Sequence, residues 1–89
     1  MTTYQRAVEL MEAELGEEIV GLDARAGLCF GFNEVASSVW RALDRPQSFD
    51  ALRDRLLAEY DVGRDQCEDE LASLLSDLTA KGLVKVALA

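Results

Sequence analysis

Histidine is absent from this 89-residue chain. That removes the commonest general base at neutral pH and the commonest zinc ligand. Proline occurs once, at Pro46, and cysteine twice, at Cys29 and Cys67. Neither cysteine has a second thiol near it in sequence, so no zinc or redox spacing exists. They read as two reduced, partly buried thiols, with a strand-to-helix disulfide as the alternative, unusual in the cytosol. No apolar run is long enough to span a membrane. The opening "MTTYQRAVEL" lacks a basic segment followed by an apolar stretch, so no secretory signal is expected and the cytoplasm is the expected compartment. Basic residues are also scarce, nine against seventeen acidic ones, for a net charge of −8. Such a surface repels phosphate backbones.

What the chain does have is a hydrophobic fraction of 49%, which suits one globular domain over residues 1–89 with a modest core. Residues 7–15, "AVELMEAEL", are ambiguous, because Ala, Glu, Leu and Met favour helix. "EEIVGLD" then reads as a strand, with Val20 and Leu22 on one face and Ile19 on the other. Asp23 to Gly27 has turn residues at both ends and suits a hairpin loop. In "LCFGF", Leu28, Phe30 and Phe32 point one way and Cys29 and Gly31 the other. The two strands should pair, and the ambiguous first segment should join them, because a lone hairpin is marginal in water.

Asn33 is a good N-cap for a first helix whose Val35, Ala36, Val39, Trp40 and Leu43 recur at helical spacing. Pro46 ends it. Ser48 caps a second helix with Phe49, Leu52, Leu56 and Tyr60 inward, Leu57 alongside, and Arg53 and Arg55 outward. Gly63 serves as the next N-cap. Cys67, Leu71, Leu74, Leu75 and Leu78 then make one stripe of a third helix, with Asp65, Glu68, Asp69 and Glu70 near its start, where the dipole favours acids. Gly82 fits an αL cap after Lys81, and "VKVALA" is a short tail, a candidate strand. Strands followed by three helices give an α+β layout. Three short helices with short loops make a winged helix-turn-helix arrangement natural.

Catalysis has little support. Glu17-Glu18 and Asp69-Glu70 are sequence neighbours that face different directions. Ser37 and Ser38 lack a histidine to activate them and are expected on the outer side of the first helix. No phosphate-binding glycine loop is present. Asp65, Glu68 and Asp69 share one surface, but the helix dipole explains them better than a metal does. No enzyme activity, metal or cofactor is expected. Duplex DNA is the rival partner for a helix-turn-helix core, yet the third helix would present Asp65, Glu68, Asp69, Glu70 and Asp77 where a recognition helix offers Arg or Lys. No nucleic acid and no membrane partner is expected.

Peptide binding fits better. A free strand edge can accept an extended peptide as an added strand. Gly31, in the interior of a strand, marks close approach of another backbone; a bulge, or room for the third helix or a large core side chain, explains it equally well.

The ordered set Leu22-Asp23, Gly27, Phe30, Phe32-Asn33, Trp40, Leu43-Asp44, Ser48-Phe49, Tyr60-Asp61 and Gly82-Leu83-Val84 resembles the PqqD-like proteins, also called RiPP precursor peptide recognition elements. The likeness runs from about residue 14 to residue 86. It departs from the family pattern at Phe32, where Leu is usual, and at Cys29, where many members carry an aromatic. The resemblance implies a three-stranded antiparallel sheet packed on a three-helix winged helix-turn-helix core, and turns "AVELMEAEL" toward strand. It also implies that the chain catalyses nothing itself. Such proteins bind the leader of a ribosomally made precursor peptide by strand addition, for a separate maturation enzyme such as a radical SAM protein or a leader peptidase of the lasso-peptide type. Carried onto this chain, the leader-binding residues are Leu28, Cys29, Phe30, Gly31 and Phe32 on the strand edge, running on to Asn33. The opposing wall is Glu70, Leu71, Leu74, Asp77, Leu78 and Lys81. The alternative is a winged-helix interaction or transcription-related module. An open edge permits either a monomer or a strand-exchanged dimer.

Overall fold

The computed structural model describes residues 2 to 88. In chain order the elements are β1 (Thr2–Arg6), β2 (Met11–Leu15), β3 (Glu18–Asp23), β4 (Leu28–Phe32), α1 (Glu34–Ala42), α2 (Phe49–Glu59), α3 (Arg64–Ala80) and β5 (Val84–Leu88). β2, β3 and β4 form an antiparallel sheet in that order. The expected α+β class, with a three-stranded sheet against three helices, is therefore present. "MEAEL" is a strand despite its helical propensity, because pairing with β3 and the contacts of its acids outweigh a few tenths of a kcal/mol per residue, by rough propensity scales. The structure adds a second sheet that the sequence reading did not contain: β1 pairs antiparallel with β5, joining the two ends of the chain. Tyr4 and Gln47 exchange backbone hydrogen bonds of 2.7 and 2.9 Å, tying this sheet to the loop before α2.

Local chemistry sets the helix ends. Asn33 accepts a hydrogen bond from Ala36 N (2.9 Å) and Ser48 one from Ala51 N (3.1 Å), while Gly63 caps α3 without a side chain. At the other end of α3, Gly82 has φ of 76°, and Leu83 N donates to Leu78 O and Gly82 N to Thr79 O, the paired bonds of a Schellman turn.

The core lies between the inner face of the sheet and the three helices. Ile19, Phe32, Val39, Trp40, Leu52, Leu56, Leu71, Leu75, Leu78 and Leu83 are buried in it. Phe32 stacks on Trp40 at 5.3 Å between ring centroids, and the Arg6 guanidinium lies 4.4 Å from the Trp40 ring centroid. Trp40 Nε1 donates to Glu12 Oε2 at 2.9 Å.

Three side chains expected outside are inside. Ser37 is buried because its hydroxyl serves two strands, accepting from Ile19 N and donating to Phe32 O. Ser38 is buried because it donates to Glu59 and accepts from Arg55 Nε. Arg53, at 8% exposure, is held by Asp50, Asp54 and Glu68 at 3.0, 3.1 and 2.9 Å, which clamps α2 to α3. In each case a hydrogen-bond partner from another element compensates the buried polar group.

Candidate functional site

β4 is an edge of the three-stranded sheet. Its register with β3 is continuous, Ile19 opposite Phe32, Val20 opposite Gly31, through to Asp23 opposite Leu28, so there is no bulge. A Cβ added at Gly31 would meet nothing within 4 Å, so Gly31 leaves room for neither α3 nor a core side chain. Both of those explanations are removed. The glycine that does make room is Gly21, where an added Cβ would come within 2.6 Å of Leu10 Cδ1. Phe32 turns its carbonyl toward β3 and Ser37. Alternation along an antiparallel ladder then directs the N–H and C=O of Cys29 and Gly31 to the free edge.

Beside that edge is an open cleft of about 320 Å³. Cys29, Phe30, Gly31, Phe32 and Asn33 form one side, Leu74, Asp77, Leu78 and Lys81 of α3 the other, and Ala36 and Leu83 also line it. Eight of the eleven residues singled out in the sequence come together here. The other three do not. Leu71, 1% exposed, belongs to the core, Leu28 is exposed at the start of β4, and Glu70 lines an adjoining pocket. Leu78 lines the cleft while buried, so it supports both core and groove.

The adjoining pocket, about 120 Å³, lies between the start of α1, the end of α2 and α3, lined by Val35, Leu56, Tyr60, Val62, Cys67 and Glu70. Burial pushes the Tyr60 phenol above its ordinary pKa, helped by the carboxylates of Glu34, Glu59 and Glu17. Burial likewise raises the Cys67 thiol, with Glu70 and Glu68 adding to it and Arg53 opposing. Cys29 is exposed and both cysteines are free. Among the described residues no group of acids, cysteines or histidines is placed to hold a metal, and no helix is long and apolar enough to cross a membrane.

The outer face of the three-stranded sheet was not singled out in the sequence. Register places Met11, Ala13, Leu15, Val20, Leu22, Cys29 and Gly31 together on it, with Glu18 at one end. Met11 and Leu15 are each 67% exposed and Leu22 40%. β2 is turned so that its acids face inward, Glu12 to Trp40 and Arg6, Glu14 to Arg41 at 3.1 Å. An antiparallel sheet with one solvated face ordinarily carries polar residues there. The alternation in "MEAEL" was readable; which face lay inside depended on Arg6, Trp40 and Arg41.

A family profile described as coenzyme PQQ synthesis protein D (PqqD) matches residues 18–84. The chain belongs to the PqqD family. No curated protein matches it. Two solved structures resemble this PqqD-family protein over nearly their whole lengths. TbiB1, in complex with the TbiA(beta) leader peptide, superposes with a TM-score of 0.81 at 28% identity, covering 96% of this chain and 98% of that one. A lasso peptide synthetase B1 complexed with its leader peptide gives 0.75 at 28% identity, covering 92% and 96%.

Proposed function

We propose that this PqqD-family protein is a non-catalytic recognition domain for the leader of a ribosomally synthesised precursor peptide. The leader adds to β4 as a fourth strand, bonded through the outward groups of Cys29 and Gly31. Its inward side chains enter the cleft against Leu74 and Leu78, with Asp77 and Lys81 at the rim. The observation that carries this reading is the bulge-free β4 edge, with open space above Gly31, directly beside that cleft. Both structural relatives are leader-peptide complexes. A lasso-type pathway suits them, with a leader peptidase as the receiving enzyme. The apolar outer face supports a protein partner of this kind, because it shares Cys29 and Gly31 with the leader edge and is too apolar to be left to water without consequence.

Fluorescence anisotropy with the leader encoded by a neighbouring precursor gene tests this. Binding stronger than roughly tens of micromolar is expected. Its absence in a folded preparation would refute the proposal. Gly31→Pro removes an edge N–H and Leu74→Asp puts charge in the cleft; each weakens binding while the fold persists.

A further inference from the structure

The strand edge and its cleft do not use the pocket at the Asn33 end, yet the two hollows draw on neighbouring residues of the same two helices. α1 contributes Ala36 to the cleft and Val35 to the pocket; α3 contributes Leu74 to the cleft and Glu70, one turn earlier, to the pocket. A peptide leaving β4 past Asn33 therefore meets Val35 and Glu70 next. An all-antiparallel sheet is most simply extended by another antiparallel strand, so the segment that passes this way is the one N-terminal to the added strand.

The pocket's chemistry selects its occupant. Its walls are Val35, Leu56, Val62 and the Tyr60 ring, in about 120 Å³. Glu70 lines it, and Glu34 lies against it, its carbonyl oxygen accepting from Tyr60 Oη at 3.4 Å. Glu12, Glu14, Glu59 and Glu68 each have an arginine within 4.0 Å. Glu34 and Glu70 have no basic partner among the described residues, and both are exposed. An apolar slot beside carboxylates that lack a basic partner, with Glu70 accepting from Gln66 Nε2 at 3.1 Å, matches a long basic side chain, methylenes inside and charge at the rim.

Resting on the leader-binding reading, we propose that this pocket is a second leader subsite, which takes a lysine or arginine lying N-terminal to the strand added at β4. At the other end of the cleft Asp77 and Lys81 carry opposite charges, so the groove's net negative charge gathers at the leader's N-terminal side, which favours the antiparallel direction for a leader with a basic residue there.

The test is selection of a random peptide library, displayed on its own messenger RNA, against the immobilised domain. The proposal expects an alternating apolar segment preceded at a constant offset by Lys or Arg. Glu34→Lys/Glu70→Lys should bind those peptides about tenfold more weakly and select Asp or Glu at that offset. Because lysine at the start of α1 opposes the helix dipole, Glu34→Gln/Glu70→Gln serves as the milder variant and should lose the basic preference without acquiring an acidic one. Apolar segments with no basic residue, or the same basic residue selected by both variants, overturn the second subsite and leave strand addition standing. Failure of the unaltered domain to enrich any peptide overturns both.

Discussion

Ser37 Oγ accepts a hydrogen bond from Ile19 N at 2.9 Å and donates one to Phe32 O at 3.1 Å, so a helix hydroxyl joins the β3 and β4 backbones where the guest strand is proposed to begin. Both strand groups are buried with it. Ser37→Ala would leave a buried donor and acceptor unpaired. It should cost about 1–3 kcal/mol, read as a lower urea midpoint with unchanged slope.

Gly21 and Gly31 should respond in opposite ways to alanine. At Gly21 the new methyl would displace the Leu10 Cδ1 tip and press on Leu10 Cβ at 3.2 Å, so a cost at the lower end of the overpacking range of about 1–3 kcal/mol is expected. At Gly31 the space is open, so Gly31→Ala should leave stability unchanged or raise it by up to about 1 kcal/mol. If a leader backbone approaches there, Gly31→Ala weakens leader binding all the same. Thermal unfolding and leader titration on the two variants separate the effects.

The two thiols should differ sharply in reactivity. Cys29 is exposed on the β4 edge, whereas Cys67 is buried with its thiol pushed above the ordinary range by burial and by Glu70 and Glu68. One equivalent of iodoacetamide should react with the native protein near neutral pH and a second only in denaturant. Saturating leader should slow the first. Rapid reaction of both thiols in the native state would contradict the burial of Cys67.

Alkaline pH should destabilise the fold. Tyr60 and Cys67 both have raised folded-state pKa values, so the native state keeps protons that the unfolded chain releases. Their contribution is fully present below the unfolded-state values, about 8.5 for the thiol and 10 for the phenol, and is lost as pH rises through the folded ones. Urea midpoints measured from pH 7 upward, by these rough thresholds, should hold steady and then fall. Tyr60→Phe removes the upper part of the fall.

The elements read from the sequence were those whose signals are local. The α3 stripe of Cys67, Leu71, Leu75 and Leu78, the Asn33 and Ser48 caps and the Gly82 turn each rest on residues within one or two helical turns. The edge residues 29–33 and the wall of Leu74, Asp77, Leu78 and Lys81 were named from the family resemblance, and the fold brings them to one cleft. Ser37, Ser38 and Arg53 were misplaced because their partners come from other elements, Ile19 and Phe32, Glu59 and Arg55, and Glu68. A polar residue on a helix reads as outward until a partner can be named.

By itself the sequence determined the helices, the β3–β4 hairpin and the amphipathic faces, because periodicity and capping are decided among neighbours. Tertiary structure decided which face of "MEAEL" turns inward, since Arg6, Arg41 and Trp40 offer charge and hydrogen bonds that draw Glu12 and Glu14 in and leave Met11 and Leu15 out. It also decided that Gly21 is the glycine needed for packing and that Gly31 opens onto free space, because only the fold sets what stands opposite a missing side chain.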